Sequence, residues 1–175
     1  MPSPVAHGLA GLTVHVLAAR GHDDLFDLRR AAVLVSAALA PDLDLLFRFV
    51  DGRNHHNHET HSLGAAVLAG VVAALVLPWL RFARPYALAA FTAVAWTTHV
   101  GLDYLNRDTH PPIGLMALWP LDDGFYKFPW PIFLDIGRTL EWATVWHNLL
   151  AAAWEACVLL PVLWAAFRYR SRRLA

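Results

Sequence analysis

The stretch Leu63-Gly-Ala-Ala-Val-Leu-Ala-Gly-Val-Val-Ala-Ala-Leu-Val-Leu-Pro-Trp-Leu80 carries no charged side chain. It comes close to the roughly 20 apolar residues that an α-helix needs to cross hydrocarbon. Read as a membrane span, it fixes the class of the chain, and four further apolar segments fall around it: Val5 to Ala19, Ala31 to Val50, Tyr86 to about Tyr104, and Trp142 to Phe167. The expected fold is an all-α, polytopic membrane bundle of about five helices forming one domain. The second segment is interrupted by Pro41-Asp42-Leu43-Asp44, where proline lacks a donor and disfavours helix at Ala40. Between the fourth and fifth segments, Asn106 to Leu140 is rich in proline, tryptophan and glycine and has no clear periodicity. A connection of that length reads as a functional loop or cap, ordered by its aromatics.

Composition agrees with this reading. Hydrophobic residues make up 57% of the 175 and charged residues 16%, against roughly 25% charged in a soluble domain. Net charge is zero, so no basic field exists to attract nucleic acid, and none is expected as a partner. The one cysteine, Cys157, has no intramolecular partner and is expected as a small buried hydrophobe, which removes disulfides and thiolate metal sites from consideration. Met1 to Arg20 lacks the basic start of a signal peptide and is expected in the mature protein.

Arginines and histidines sort oppositely along this topology. If five segments cross alternately, Arg20, Arg29, Arg30, Arg81, Arg84, Arg168, Arg170, Arg172 and Arg173 fall on one side, expected to be cytoplasmic together with the C-terminus. His7, Asp42, Asp44, His55 to His61, His99, Asp103 and His110 fall on the other, extracytoplasmic face, and of ten histidines only His22 joins the arginines.

Several of these residues have the spacing of metal ligands. His99 and Asp103 stand four apart, so on a helix they share one face, about 5–6 Å between Cβ atoms. Ionisable groups at the end of an apolar span are costly to keep there unless they have a task. His55-His56-Asn57-His58-Glu59-Thr60-His61 offers four imidazoles, which cannot all reach one ion, and Thr60 or Ser62 is placed to cap the following helix. Asp42 and Asp44, two apart, cannot share a helical face. One is expected to bind metal and the other to cap a helix or orient a ligand histidine. His7 is a further candidate ligand, and His15, about 12 Å deeper by helix rise, is expected to pack or to line a substrate site. Imidazoles with carboxylates suit Zn²⁺, with Mn²⁺ or Fe²⁺ as alternatives. The surplus of donors favours two or three ions bridging a hydroxide against a phosphoryl group.

At these residues the sequence resembles the YdjM-like family of membrane-bound metal-dependent hydrolases. The likeness lies in His7-x-x-x-Gly11, Pro41-Asp42-Leu43-Asp44-Leu45-Leu46, His56-x-x-x-Thr60-His61-Ser62-Leu63, His99-x-x-x-Asp103 and Trp119-Pro120-Leu121, over about the first 120 residues. That family is similar in turn to the zinc-dependent phospholipase C and single-strand nuclease superfamily. The resemblance implies an all-helical hydrolase with His7, Asp42 or Asp44, His61, His99, Asp103 and His110 as metal ligands, alongside His56 from the shared motif. This chain departs from it where His56-Asn57-His58 replaces His-Arg-Gly and where His147 is followed by alanine at 151 instead of glutamate, with Glu141 or Asp135 as stand-ins. The expected function is hydrolysis of a phosphoester, lipid or otherwise amphipathic, with Asp42 or Asp44 as the catalytic carboxylate and Trp119 and Trp130 at the entrance or in the interface belt. Metal transport or sensing, and a non-catalytic membrane protein with a structural ion, are the alternatives. The oligomeric state is not legible.

Overall fold

Capping residues set where the helices begin. Ser3 accepts from the Val5 amide, Asp27 from the Arg29 and Arg30 amides, and Ser62 from the Ala65 amide, each satisfying a donor that the first turn leaves free. The structure, a computed structural model, describes residues 1–174. Its helices are α1 (Pro4–Ala18), α2 (His22–Leu25), α3 (Leu28–Leu39), α4 (Arg48–Asp51), α5 (Leu63–Val76), α6 (Pro85–Tyr104) and α7 (Trp142–Leu174), with 3-10 segments at Ala40–Phe47 and Glu59–His61. Among the described residues no strand forms, and two isolated bridges, Asn106 with Phe133 and Leu115 with Tyr126, order the long loop. The all-α class is as expected.

The crossing count is less clear-cut than the hydropathy implied. Among the described residues only α7, 33 residues long, is both long and apolar enough to cross a membrane, while α1 and α5 are apolar but shorter. The run expected to continue to Leu80 stops being helical at Val76, because Pro78 supplies no amide to carry the hydrogen-bond ladder on. Pro41 acts similarly in the second segment. The α-helix ends at Leu39 and continues as a 3-10 segment to Phe47. Cys157, expected to be buried, is exposed on α7, so its apolar surroundings in sequence did not mean packed surroundings in space.

At the centre, α1 packs on α3, α6 and α7, while α6 also carries α3 and α5. Gly11 permits the α1–α3 crossing, since a Cβ there would lie 2.8 Å from the Val35 Cα. Val14, Ala18, Leu34, Ala38, Leu77, Leu88 and Ala95 fill the space between these helices. The end of the bundle bearing the arginines is tied together by Arg29 to the Leu80 carbonyl, Arg170 to the Ala19 carbonyl, and Arg84 to Asp24. At the other end the long loop covers α5. The carbonyls of Ala117 and Trp119 accept from the Leu63 and Gly64 amides at 2.9 and 3.1 Å, and Tyr104, Phe128 and Trp130 pack in series.

Candidate metal centre

Four elements converge at the loop-covered end: the start of α1 with His7, the 3-10 segment with Asp42 and Asp44, the turn before α5 with Thr60 and His61, and the end of α6 with His99 and Asp103. The break at Pro41 builds part of this site. It leaves the Ala38 carbonyl free of a continuing α-helix, and His99 Nδ1 donates to it at 2.7 Å. A carbonyl can only accept, so the proton sits on Nδ1 and His99 Nε2 presents a lone pair. His61 is held in the same way, with Nδ1 3.1 Å from Asp44 Oδ2, which leaves its Nε2 facing His99.

The donors then meet. His61 Nε2 and His99 Nε2 lie 3.1 Å apart, Asp103 Oδ2 is 3.2 and 3.1 Å from them, and Asp42 Oδ1 is 3.5 Å from each. An ion with nitrogen and oxygen ligands at about 2.0–2.2 Å in tetrahedral geometry spaces its donors about 3.3–3.6 Å apart. The observed separations are close to that spacing. Two lone pairs and two carboxylates converging in a buried site repel one another unless a positive charge lies between them. Burial works against a proton on His61, but contacts with Asp103, Asp42 and Asp44 outweigh it and raise its pKa well above the ordinary value. A divalent cation meets the same demand, and Asp42, His61, His99 and Asp103 could hold one.

Asp44, His56 and His61 form a second group, but their geometry is that of hydrogen bonds. Asp44 is 2% exposed and receives His56 Nδ1 at 3.0 Å and the Thr60 hydroxyl at 2.7 Å, as well as His61. It orients His61, whose Nε2 faces the other donors, in the way carboxylates commonly hold metal-bound imidazoles. His56 Nε2 is left buried without a partner. His7, fully buried, stacks on the His99 ring at 3.7 Å between centroids, with Nε2 3.6 Å from Asp103 Oδ1 and neither nitrogen hydrogen-bonded.

His110 is not brought into this group. It is exposed on the loop, hydrogen-bonded to Thr109, whose hydroxyl reaches Asp135. His147 lies 3.7 Å from the same Asp135, apart from the buried donors, and Glu141 is exposed. His15 is buried toward the arginine end, 3.1 Å from the Leu25 carbonyl.

A family profile described as "YdjM inner membrane protein" matches residues 1–174. The chain belongs to the YdjM inner membrane protein family. No curated protein and no solved structure gives a significant match. The YdjM match spans the helices that carry the donors and also α7, which contributes no donor to the cluster but secures α1. In α7, Glu155 is fully buried and accepts from the Ser3 amide at 2.8 Å and from the Ser3 hydroxyl, holding the start of α1 and with it His7.

Sequence reading missed several parts of the centre. Thr60 or Ser62 was expected to cap α5; Ser62 does so, and the unforeseen part is that the Thr60 hydroxyl goes to Asp44. The Ala38 carbonyl could not have been read from residue types. Glu155 left a signal, as a carboxylate alone in an apolar helix.

Proposed function

We propose that this protein is an integral membrane, metal-dependent hydrolase of phosphoesters, with the donor cluster on the extracytoplasmic face and the C-terminus in the cytoplasm. Several helices are embedded in the bilayer, α7 and α5 among them. Supporting this, α5 turns Val67, Val71 and Leu75 outward with no charged residue on any side, which water would disfavour. Zn²⁺ is the proposed ion, on the chemistry of two imidazoles and two carboxylates.

The observation that carries hydrolysis is what remains after four donors are used. Asp42 Oδ2, Asp103 Oδ1 and both ring nitrogens of His7 are buried without hydrogen-bond partners. Beside Asp103 is a cavity of about 10 Å³, also lined by Asn57, Asn106 and Asp108, and that is room for about one water. The ion would supply Lewis acidity, lowering the pKa of a water and offsetting charge on a phosphoryl oxygen. Asp42, the less buried of the cluster's carboxylates, accepts the proton as the water oxygen bonds to phosphorus and the ester oxygen leaves. Asp44 has no free oxygen for this, and its role is to hold His61 and His56. Thr60 and the Ala38 carbonyl fix the remaining orientations. The phosphoester class comes from the wider likeness to zinc-dependent phospholipase C and single-strand nucleases.

A second reading rests on the donor count. Four protein donors close a tetrahedral ion, which is the pattern of structural ions, whereas catalytic ions keep a position open. A panel of phosphomonoesters and phosphodiesters assayed with the Zn²⁺-loaded protein separates the two. Cleavage lost in Asp42→Asn supports the hydrolase. A folded, metal-loaded protein that cleaves none of the panel supports the structural ion.

A further inference from the structure

A groove runs beside the cluster that the reaction as described does not use. Helices α3 and α5 both rest on α6, and the space between them is a cavity of about 810 Å³. The groove is open along one side, with Leu68 and Val72 exposed at its rim, so it leaves a continuous strip of carbon surface that an apolar occupant would cover. Small side chains keep it open: Ala37 on α3 and Ala40 at the start of the 3-10 segment, and Ala65, Ala69 and Ala73 on α5. Its walls are almost entirely carbon, and Thr92, at its floor, spends its hydroxyl on the Leu88 carbonyl.

One end is different. There the groove meets Glu59, Thr60, Trp96 and Trp119. Thr60 adjoins His61, gives its hydroxyl to Asp44, and accepts the Trp96 indole N–H on its carbonyl at 2.8 Å. Ala40 at the same end stands two residues from Asp42. An apolar slot therefore ends at Thr60, which precedes His61 in the chain and holds Asp44.

The dimensions select the occupant. From Ala65 to Leu77 the wall is about 18 Å long by helix rise, so the 810 Å³ corresponds to a section of roughly 45 Å². One or two extended alkyl chains fit that section and would cover its carbon walls along their length. We infer that the α3–α5 groove binds an alkyl chain of a membrane lipid whose phosphate-bearing head lies at the His61–His99–Asp103 cluster. This rests on the hydrolase reading and names its substrate as a phospholipid entering sideways from the bilayer.

The test uses the intact protein in nanodiscs containing phosphatidic acid with a diazirine in one acyl chain, followed by mapping of photolabelled residues. Labelling is expected to be enriched several-fold at Ala65, Ala69 and Ala73, which line the groove, over Val67, Val71 and Leu75, which face outward on the same helix. Ala69→Trp, which fills the slot, is expected to abolish that enrichment. Ser36→Phe, from the opposite wall, does the same if Ala69→Trp fails to fold. Equal labelling around α5, or enrichment indifferent to both substitutions, overturns the inference. Cleavage of phosphoesters without groove enrichment overturns this inference alone, whereas groove enrichment with no cleavage of any phosphoester leaves the groove standing and removes the hydrolase.

Discussion

Replacing Asp44 by alanine separates a residue that holds a ligand from one that is a ligand. In the structure Asp44 receives His56 Nδ1 at 3.0 Å, His61 Nδ1 at 3.1 Å and the Thr60 hydroxyl at 2.7 Å, and its oxygens face away from the four convergent donors. Its loss frees the His61 ring to rotate and removes the carboxylate that raises its basicity. Losses of this kind typically weaken metal binding 10–100-fold, about 1.4–2.7 kcal/mol. Asp44→Ala is therefore expected to bind Zn²⁺ with unchanged stoichiometry and an affinity lower by that factor, read by competition against a chromophoric chelator in detergent. Asp42→Ala, which removes a donor, is expected to lose more. Unchanged affinity in folded Asp44→Ala, or abolished binding there with Asp42→Ala little affected, would refute the assignment.

Gly11→Val puts a branched side chain where even a Cβ would lie 2.8 Å from the Val35 backbone, so about 1–3 kcal/mol of destabilisation is expected, seen as a lower melting temperature in detergent. At the opposite end, burial pushes the Asp24 pKa up, but the Arg20 amide and the Arg30 and Arg84 guanidiniums outweigh this and hold it below the ordinary value. The stability it contributes is present above its unfolded pKa of about 4 and is lost as pH falls through its lower folded value. Asp24→Asn is accordingly expected to lose less melting temperature than the parent between neutral and strongly acidic pH, and an identical loss would exclude this role. A reporter fused after Ala175 is expected to be active only in its cytoplasmic form, as the arginines at the end of α7 require.

Most of the candidate centre was legible because its logic is one of spacing and sides. The interval from His99 to Asp103 put both on one helical face, and the expectation of alternating segments placed His7, Asp42 and His61 at the same end, where the structure brings them together. Four of the expected ligands, Asp42, His61, His99 and Asp103, come together in the structure. The division of labour between Asp42 and Asp44 was stated as a choice, and only the path of the 3-10 segment past Pro41 gives it a direction. That segment also supplies the Ala38 carbonyl, a backbone atom with no signature in residue type. His110, expected with the other donors, stays on the exposed loop, because an end of a bundle is a coarser coordinate than a ligand position. Hydropathy overestimated the length of α5, since the average over Leu63 to Leu80 does not register that Pro78 ends a helix. The groove was illegible because alanines at helical spacing on α3 and α5 look the same whether two faces touch or stand apart.

The most direct measurement is metal content by mass spectrometry of protein purified without chelators, beside a His99→Ala, Asp103→Ala double variant checked for helicity. At least one tightly held divalent ion per chain, absent from the folded variant, is the expected result. A metal-free parent that also fails to take up Zn²⁺ on titration, or a variant that retains the ion, would contradict a metal centre built from these residues.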